Sequence, residues 1–178
     1  MAVRKILTIP HPKLYERCEP VTSYKTLRPL VRDMFDTMYA SSGVGLAGNQ
    51  IGEMKRILVL DLVNAGFIKG VFINPVVLEQ SSEMQYGEEG CLSVPGLAAD
   101  LERPAWVKIE YNNLSGKLQT IEAEMLLARA LLHEIDHLDG KVYVDLLEPS
   151  LKTQLKSDIE LIKKGKQPKN KKQPQYRE

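Results

Sequence analysis

The chain has 178 residues, of which 43% are hydrophobic and 26% charged, the make-up of one globular domain with a core of real size. Two cysteines exclude a disulfide framework and fit a reducing compartment, and no apolar run approaches the ~20 residues that span a bilayer. The net charge of +1 is unevenly spread: residues 163–178 carry +6 and residues 1–162 carry −5, so an acidic body bears a basic tail.

At the start, Ile6-Leu7-Thr8-Ile9 is cut short by Pro10, so no secretory signal is expected and the chain reads as cytoplasmic. Ile9-Pro10-His11-Pro12 reads as extended or turning, because a residue before proline is pushed out of the α region. His11 there is expected to face solvent, and Cys18 to be a small buried apolar residue. Leu27, Val31, Met34, Phe35 and Met38 recur at helical spacing, which predicts an amphipathic helix over 27–39 with Pro29 in its first turn. Residues 41–50 (SSGVGLAGNQ) read as a glycine-rich loop. No Gly-Lys-Ser/Thr ending follows, so it is not a phosphate loop. Its glycines allow a second chain to approach closely, and Gln50 offers an amide at its end.

Short β-branched runs predict strands over 56–61 and 70–73, a break at Asn74-Pro75, and a resumption over 76–78. Residues 88–96, rich in glycine and proline, are not helical, and they carry Cys91. The run 106–111 alternates, a turn follows at Asn112, Asn113, Ser115 and Gly116, and 117–121 pairs back as a hairpin. A helix rich in Ala, Leu and Met begins near Ala123 and stops at Gly140. A last helix runs from Glu148-Pro149-Ser150 to about Lys164, and 165–178, almost without apolar residues, is expected to be disordered. The expected layout is therefore one domain over 1–164 and a basic tail over 165–178. Strands first and a buried helix after them point to an α+β fold.

The central helix carries His133-Glu134-Ile135-Asp136-His137. Histidines at i and i+4 share one helical face, so both imidazoles can reach one divalent metal while Glu134 moves a proton beside it. A third donor is needed. Tyr143 stands where one protease pattern has a third histidine, so that pattern fails. Glu160 on the last helix is one candidate and Cys91 another. Cys18, Cys91, His133 and His137 together would instead make a closed structural site with no use for Glu134.

Three stretches, Gly43-Val44-Gly45-Leu46-Ala47-Gly48-Asn49-Gln50, Glu89-Gly90-Cys91-Leu92-Ser93 and His133-Glu134-Ile135-Asp136-His137-Leu138-Asp139-Gly140, resemble in order the three motifs of peptide deformylases. The resemblance covers about residues 4–162. It implies an α+β fold in which mixed β-sheets surround the central metal helix, with N-terminal and C-terminal helices. It implies Cys91, His133 and His137 as ligands of Fe²⁺, replaceable by zinc, nickel or cobalt. The implied reaction removes the formyl group from the N-terminal methionine of newly made chains, with Glu134 as general base and then acid. The Gln50 amide and the Leu92 backbone N–H would steady the oxyanion. Backbone near Val44, Gly45 and Gly90 would hold the formyl-methionyl peptide as an added strand.

Some positions depart from the family pattern: Gly48 in place of alanine, Leu132 in place of glutamine, and Ala98 and Ala99 where many members have arginine and glycine. These bear on peptide affinity and side-chain preference rather than on the chemistry. Because the substrate emerges from the ribosome, the basic tail is also a candidate contact for ribosomal RNA phosphate.

Overall fold

The apolar stripe expected over 27–39 folds as α1 (Leu27–Ala40), whose Leu27, Leu30, Val31, Met34 and Met38 are buried. The structure is a computed structural model and describes residues 2–172. After α1 come β1 (Gly45–Ala47), β2 (Ile57–Asp61), β3 (Lys69–Gln80), β4 (Met84–Cys91) and β5 (Val94–Pro104). Then follow β6 (Trp106–Asn112), β7 (Leu118–Glu124), α2 (Met125–Leu138) and α3 (Pro149–Lys163). The α+β reading stands. A five-stranded sheet has the order β1-β2-β3-β6-β7, and β4 and β5 pair separately. The named strands pair antiparallel, and a parallel contact occurs in the isolated bridge between Glu19 and Lys55.

Several expectations are refined. Asn74-Pro75 does not break its strand. Asn74 takes a φ of 51°, and the register against β6 shifts there, so the pair forms a bulge inside β3. The Asn74 side chain then accepts from Val21 N at 2.8 Å and donates to Val21 O at 2.9 Å, tying the N-terminal segment to the sheet. The expected glycine-rich loop contains β1 and a short 3₁₀ turn (Gly48–Ile51), all buried. His11 is half-buried rather than solvent-facing, because its Nδ1 caps the 3₁₀ turn Pro12–Tyr15 by accepting from Lys13 N at 3.3 Å.

The expected disorder of the tail is corrected as far as Lys172. Residues 165–172 fold back on the body, because Pro168 is buried and Asp158 accepts a 2.8 Å hydrogen bond from Lys169 N. The rest of the predicted tail, 173–178, lies outside the described residues.

The core centres on α2. Its Leu127, Ala128, Leu131, Leu132, Ile135 and Leu138 join Leu58, Leu60, Phe72, Val107 and Ile109 of the large sheet in one cluster. The apolar residues of α2 face the large sheet, and its other buried side chains, Arg129, His133, Glu134 and His137, are polar. Each buried leucine contributes about 1.5–3 kcal/mol, so packing holds the two histidines in place. β5 also packs on α2, which brings the β4–β5 hairpin against the histidine face.

Candidate metal centre

The i, i+4 spacing puts His133 and His137 on the face of α2 that meets the tip of the β4–β5 hairpin. Cys91 ends β4, and Leu92-Ser93 make the tight turn into β5. A donor atom from each of Cys91, His133 and His137 lies within 4.8 Å of the others. The Cys91 Sγ is 3.1 Å from His137 Nε2 and also accepts from Ser93 N at 3.3 Å. Glu134 is buried beside this cluster, and its Oε2 has no hydrogen-bond partner among the described residues. Burial, opposed by His133 and helped by Glu89, brings its carboxyl up to about 7.

The remaining predicted residues converge here. Gln50 is buried, and its Nε2 donates to Ser93 Oγ at 3.1 Å and lies 3.5 Å from Cys91 Sγ. Its Oε1 accepts from Ala47 N at 2.8 Å, which fixes which end of the amide faces the thiol. Val44, Gly45, Gly90 and Leu92 line a cleft of ≈ 340 Å³ that reaches Cys91, His133 and Glu134. Gly45 allows the approach of Glu134: a Cβ there would meet the carboxylate, only 2.9 Å from Glu134 Cδ.

The departures are also explained in part. A Cβ on Gly48 would stand 2.7 Å from Glu53 O and 2.8 Å from Lys55 O, so this backbone accepts only glycine there. Leu132 is buried in the core cluster. Ala98 and Ala99 are buried opposite Gly90 and Glu89 in the hairpin.

The alternative ligands fall away. Glu160 is exposed on α3 and pairs with Lys163 at 2.9 Å. Cys18 is buried in the core cluster and is not among the donors that converge on the centre. Burial raises its thiol to about 11, so it behaves as an apolar group.

Sequence reasoning missed the support of the site. Glu89 is 1% exposed and its Oε2 meets His133 Nδ1 at 2.8 Å. Arg103 grips it at 2.8 and 3.0 Å, and Arg129 Nη1 adds a contact at 2.9 Å. Arg103 also pairs with Asp136 on α2. Burial would raise the Glu89 carboxyl, but His133 and Arg103 outweigh it and hold it well below the usual range. Glu89 thus orients His133 with Nδ1 engaged and leaves Nε2 for a metal. Asn49 similarly braces the last turn of α2 through His137 O at 2.5 Å. Glu89 was legible only as part of a motif, and nothing local marks Arg103 or Arg129.

One thiolate and two imidazoles suit a divalent transition metal, and three protein donors leave a position open, as a catalytic rather than a structural site requires. The unpartnered Glu134 oxygen fits a polar reactant at that position. The fold and this donor set define the class as metallohydrolase. The sequence model of the polypeptide deformylase family matches residues 3–153. The peptide deformylase of Brucella suis biovar 1 (strain 1330) is 43% identical over 169 residues, covering 93% of each chain. That of Rhizobium meliloti (strain 1021) is 45% identical over 150 residues, 83% of this chain and 86% of the relative. The crystal structure of peptide deformylase from Thermus thermophilus superposes with a TM-score of 0.85 at 32% identity, over 92% of this chain and 99% of that one. The Legionella pneumophila enzyme gives 0.83 at 39% identity, over 92% and 96%. The chain belongs to the peptide deformylase family, metal-dependent hydrolases that remove the N-formyl group from the N-terminal methionine of newly synthesised polypeptides.

Proposed function

We propose that this chain deformylates formyl-methionyl peptides with Fe²⁺ held by Cys91, His133 and His137, and with Glu134 as the proton carrier. The observation that carries this reading is buried Glu134, whose Oε2 has no partner among the described residues, beside three converging donors. When bound, the metal supplies Lewis acidity that lowers the pKa of water towards neutrality. Glu134 accepts a proton from the attacking water and returns it to the amine nitrogen as the carbon–nitrogen bond breaks, releasing formate. Burial favours the protonated form of the Glu134 carboxyl, which eases its return of the proton to the amine. Gln50 Nε2 and the Leu92 N–H donate to the oxygen that gains charge at the formyl carbon.

β1 ends the large sheet, so an extended peptide can lie between it and β4, held by backbone at Val44, Gly45 and Gly90. Leu97, Leu126 and Ala130 supply apolar wall for the methionine side chain. Zinc, nickel or cobalt should replace iron, because thiolate and imidazole accept all of them.

The catalytic domain is residues 1–164, and the basic segment 165–178 is an addition to it. We place the enzyme in the cytoplasm, where formylated chains are made. Two free cysteines support this, and no helix among the described residues is long and apolar enough to cross a membrane. The basic segment offers a contact to ribosomal RNA through non-specific phosphate attraction. The decisive assay is formate release from formyl-Met-Ala-Ser by anaerobically purified protein, with metal content measured on the same sample. Release that scales with bound iron is expected. A fully metal-loaded protein that releases no formate would overturn the reading.

A further inference from the structure

Beyond α3 the chain turns at Gly165 and runs back over the hairpin as a strap. Asp158 of α3 is 2% exposed, and its carboxylate accepts from Lys169 N at 2.8 Å and Asn170 Nδ2 at 3.5 Å. Pro168 is buried against Gly96, with its Cγ 3.2 Å from where a Cβ of Gly96 would stand. Lys172 N donates to Gly96 O at 2.9 Å, and its ammonium pairs with Glu88 on β4. A buried carboxylate, a buried proline and a backbone hydrogen bond thus set the end of the strap in one place. That place is the mouth of the cleft, which Gly96 and Lys172 both line. The strap lies outside residues 3–153, the part matched by the family.

We propose that Lys172, paired with Glu88, is a specificity-determining residue that sets the charge preference of the enzyme for the residues behind the formyl-methionine. The inference rests on the functional reading above, in which the formyl carbon meets Cys91 and the peptide runs extended beside β4. Glu88 lies three residues before Cys91 on that strand. At roughly 3.3 Å per residue it is about 10 Å from the reacting carbon, the reach of two or three extended substrate residues. The Glu88–Lys172 pair therefore stands level with the second or third residue of the substrate. Asp100 stands opposite Glu88 on β5 and also acts on Lys172, so the three charges sum to −1; removing Lys172 makes the mouth more negative, and removing Glu88 makes it neutral. With side chains 24% and 59% exposed, the pair acts through partly screened attraction, so it selects between substrates rather than gating them.

The test compares KM and kcat for two C-terminally amidated peptides, formyl-Met-Ala-Asp and formyl-Met-Ala-Lys. Lys172→Ala leaves Glu88 unbalanced and should move the kcat/KM ratio towards the lysine peptide by roughly threefold or more at low salt. Glu88→Gln, which leaves the backbone anchors of the strap intact, should move it by a similar factor towards the aspartate peptide. Both shifts should appear in KM and shrink as salt is raised, and Lys172→Arg should keep the wild-type ratio. Unchanged ratios in both charge variants, with wild type turning over both peptides, would overturn the inference and leave the deformylase reading intact. No formate from either peptide with metal-loaded wild type would overturn the functional reading, and the inference with it.

Discussion

In the proposed reaction Cys91 holds the metal and Glu134 carries the proton. Cys91 is one of three converging donors, whereas Glu160 sits exposed on α3 in an ion pair with Lys163. Cys91→Ala should therefore lose tightly bound metal, and Glu160→Ala should keep a full complement, as metal analysis after dialysis will read. The reverse result would restore a glutamate ligand. Glu134→Gln should keep metal but lose at least about a hundredfold in turnover, because general acid–base transfer contributes that much or more. Its burial also has a signature in the metal-free protein. Between its ordinary 4.5 and about 7, folded Glu134 keeps a proton that the unfolded chain has released. Stability therefore falls as pH rises through that window. At ~1.4 kcal/mol per pH unit the loss is on the order of 3 kcal/mol, complete above pH 7. Metal-free Glu134→Gln should match wild type in urea unfolding near pH 4.5 and exceed it at pH 8. A gap that does not change with pH would mean that Glu134 does not titrate there.

At the scale of elements, β4, β5 and α2 are locked together by one buried ionic cluster. Glu89 of β4 receives Arg103 of β5 and both Arg129 and His133 of α2. Removing one partner of such a cluster leaves buried charges uncompensated, a change that costs about 3–5 kcal/mol. It also frees the His133 ring from its orienting bond, and losses of that kind lower metal affinity about 10–100-fold. Glu89→Gln should thus show both a lower denaturant midpoint and weaker metal retention. Retention of both would mean that apolar packing alone sets the angle between hairpin and helix. The cluster also explains why the hairpin was hard to read. Two of its inward positions hold Glu89 and Arg103, which a pattern of apolar alternation cannot detect. β1 was missed for a different reason, since Gly45-Leu46-Ala47 looks like a loop until β2 supplies its register.

For the molecule as a whole, the C-terminal segment is where the proposed phosphate contact and the proposed substrate path meet. Deleting that segment would remove the strap along with its charge, so the ribosome contact is better tested by substitution. Lys164, Lys166 and Lys171 are exposed. Replacing all three with glutamine should weaken co-sedimentation with ribosomes at low salt. It should also reduce the slope of log affinity against log salt by about 2 to 3, because each lysine that no longer meets a phosphate releases one counterion fewer. Identical sedimentation across a salt series would leave the segment with its cleft role alone.

The two histidines and Glu134 were legible because helical spacing is local: residues four apart share a face in any fold. The same holds for α1 and the β6–β7 hairpin, whose periodicities need no distant partner. Residue chemistry alone left Cys91, Glu160 and Cys18 as competing donors, and the likeness of three ordered motifs favoured Cys91. Only the tertiary structure brought Cys91 to His137 across 46 residues and left the other two elsewhere. Glu89 is marked in the sequence only as part of a motif, and its supporting role appears once Arg103, 14 residues away, and Arg129, 40 away, close on it. The composition of the strap, almost without apolar residues, predicts disorder. The strap is held instead by one buried proline, a buried carboxylate and backbone hydrogen bonds. Local pattern records the periodicity of the chain, whereas a buried polar group is tolerated only once its partners arrive, and that meeting exists only in three dimensions.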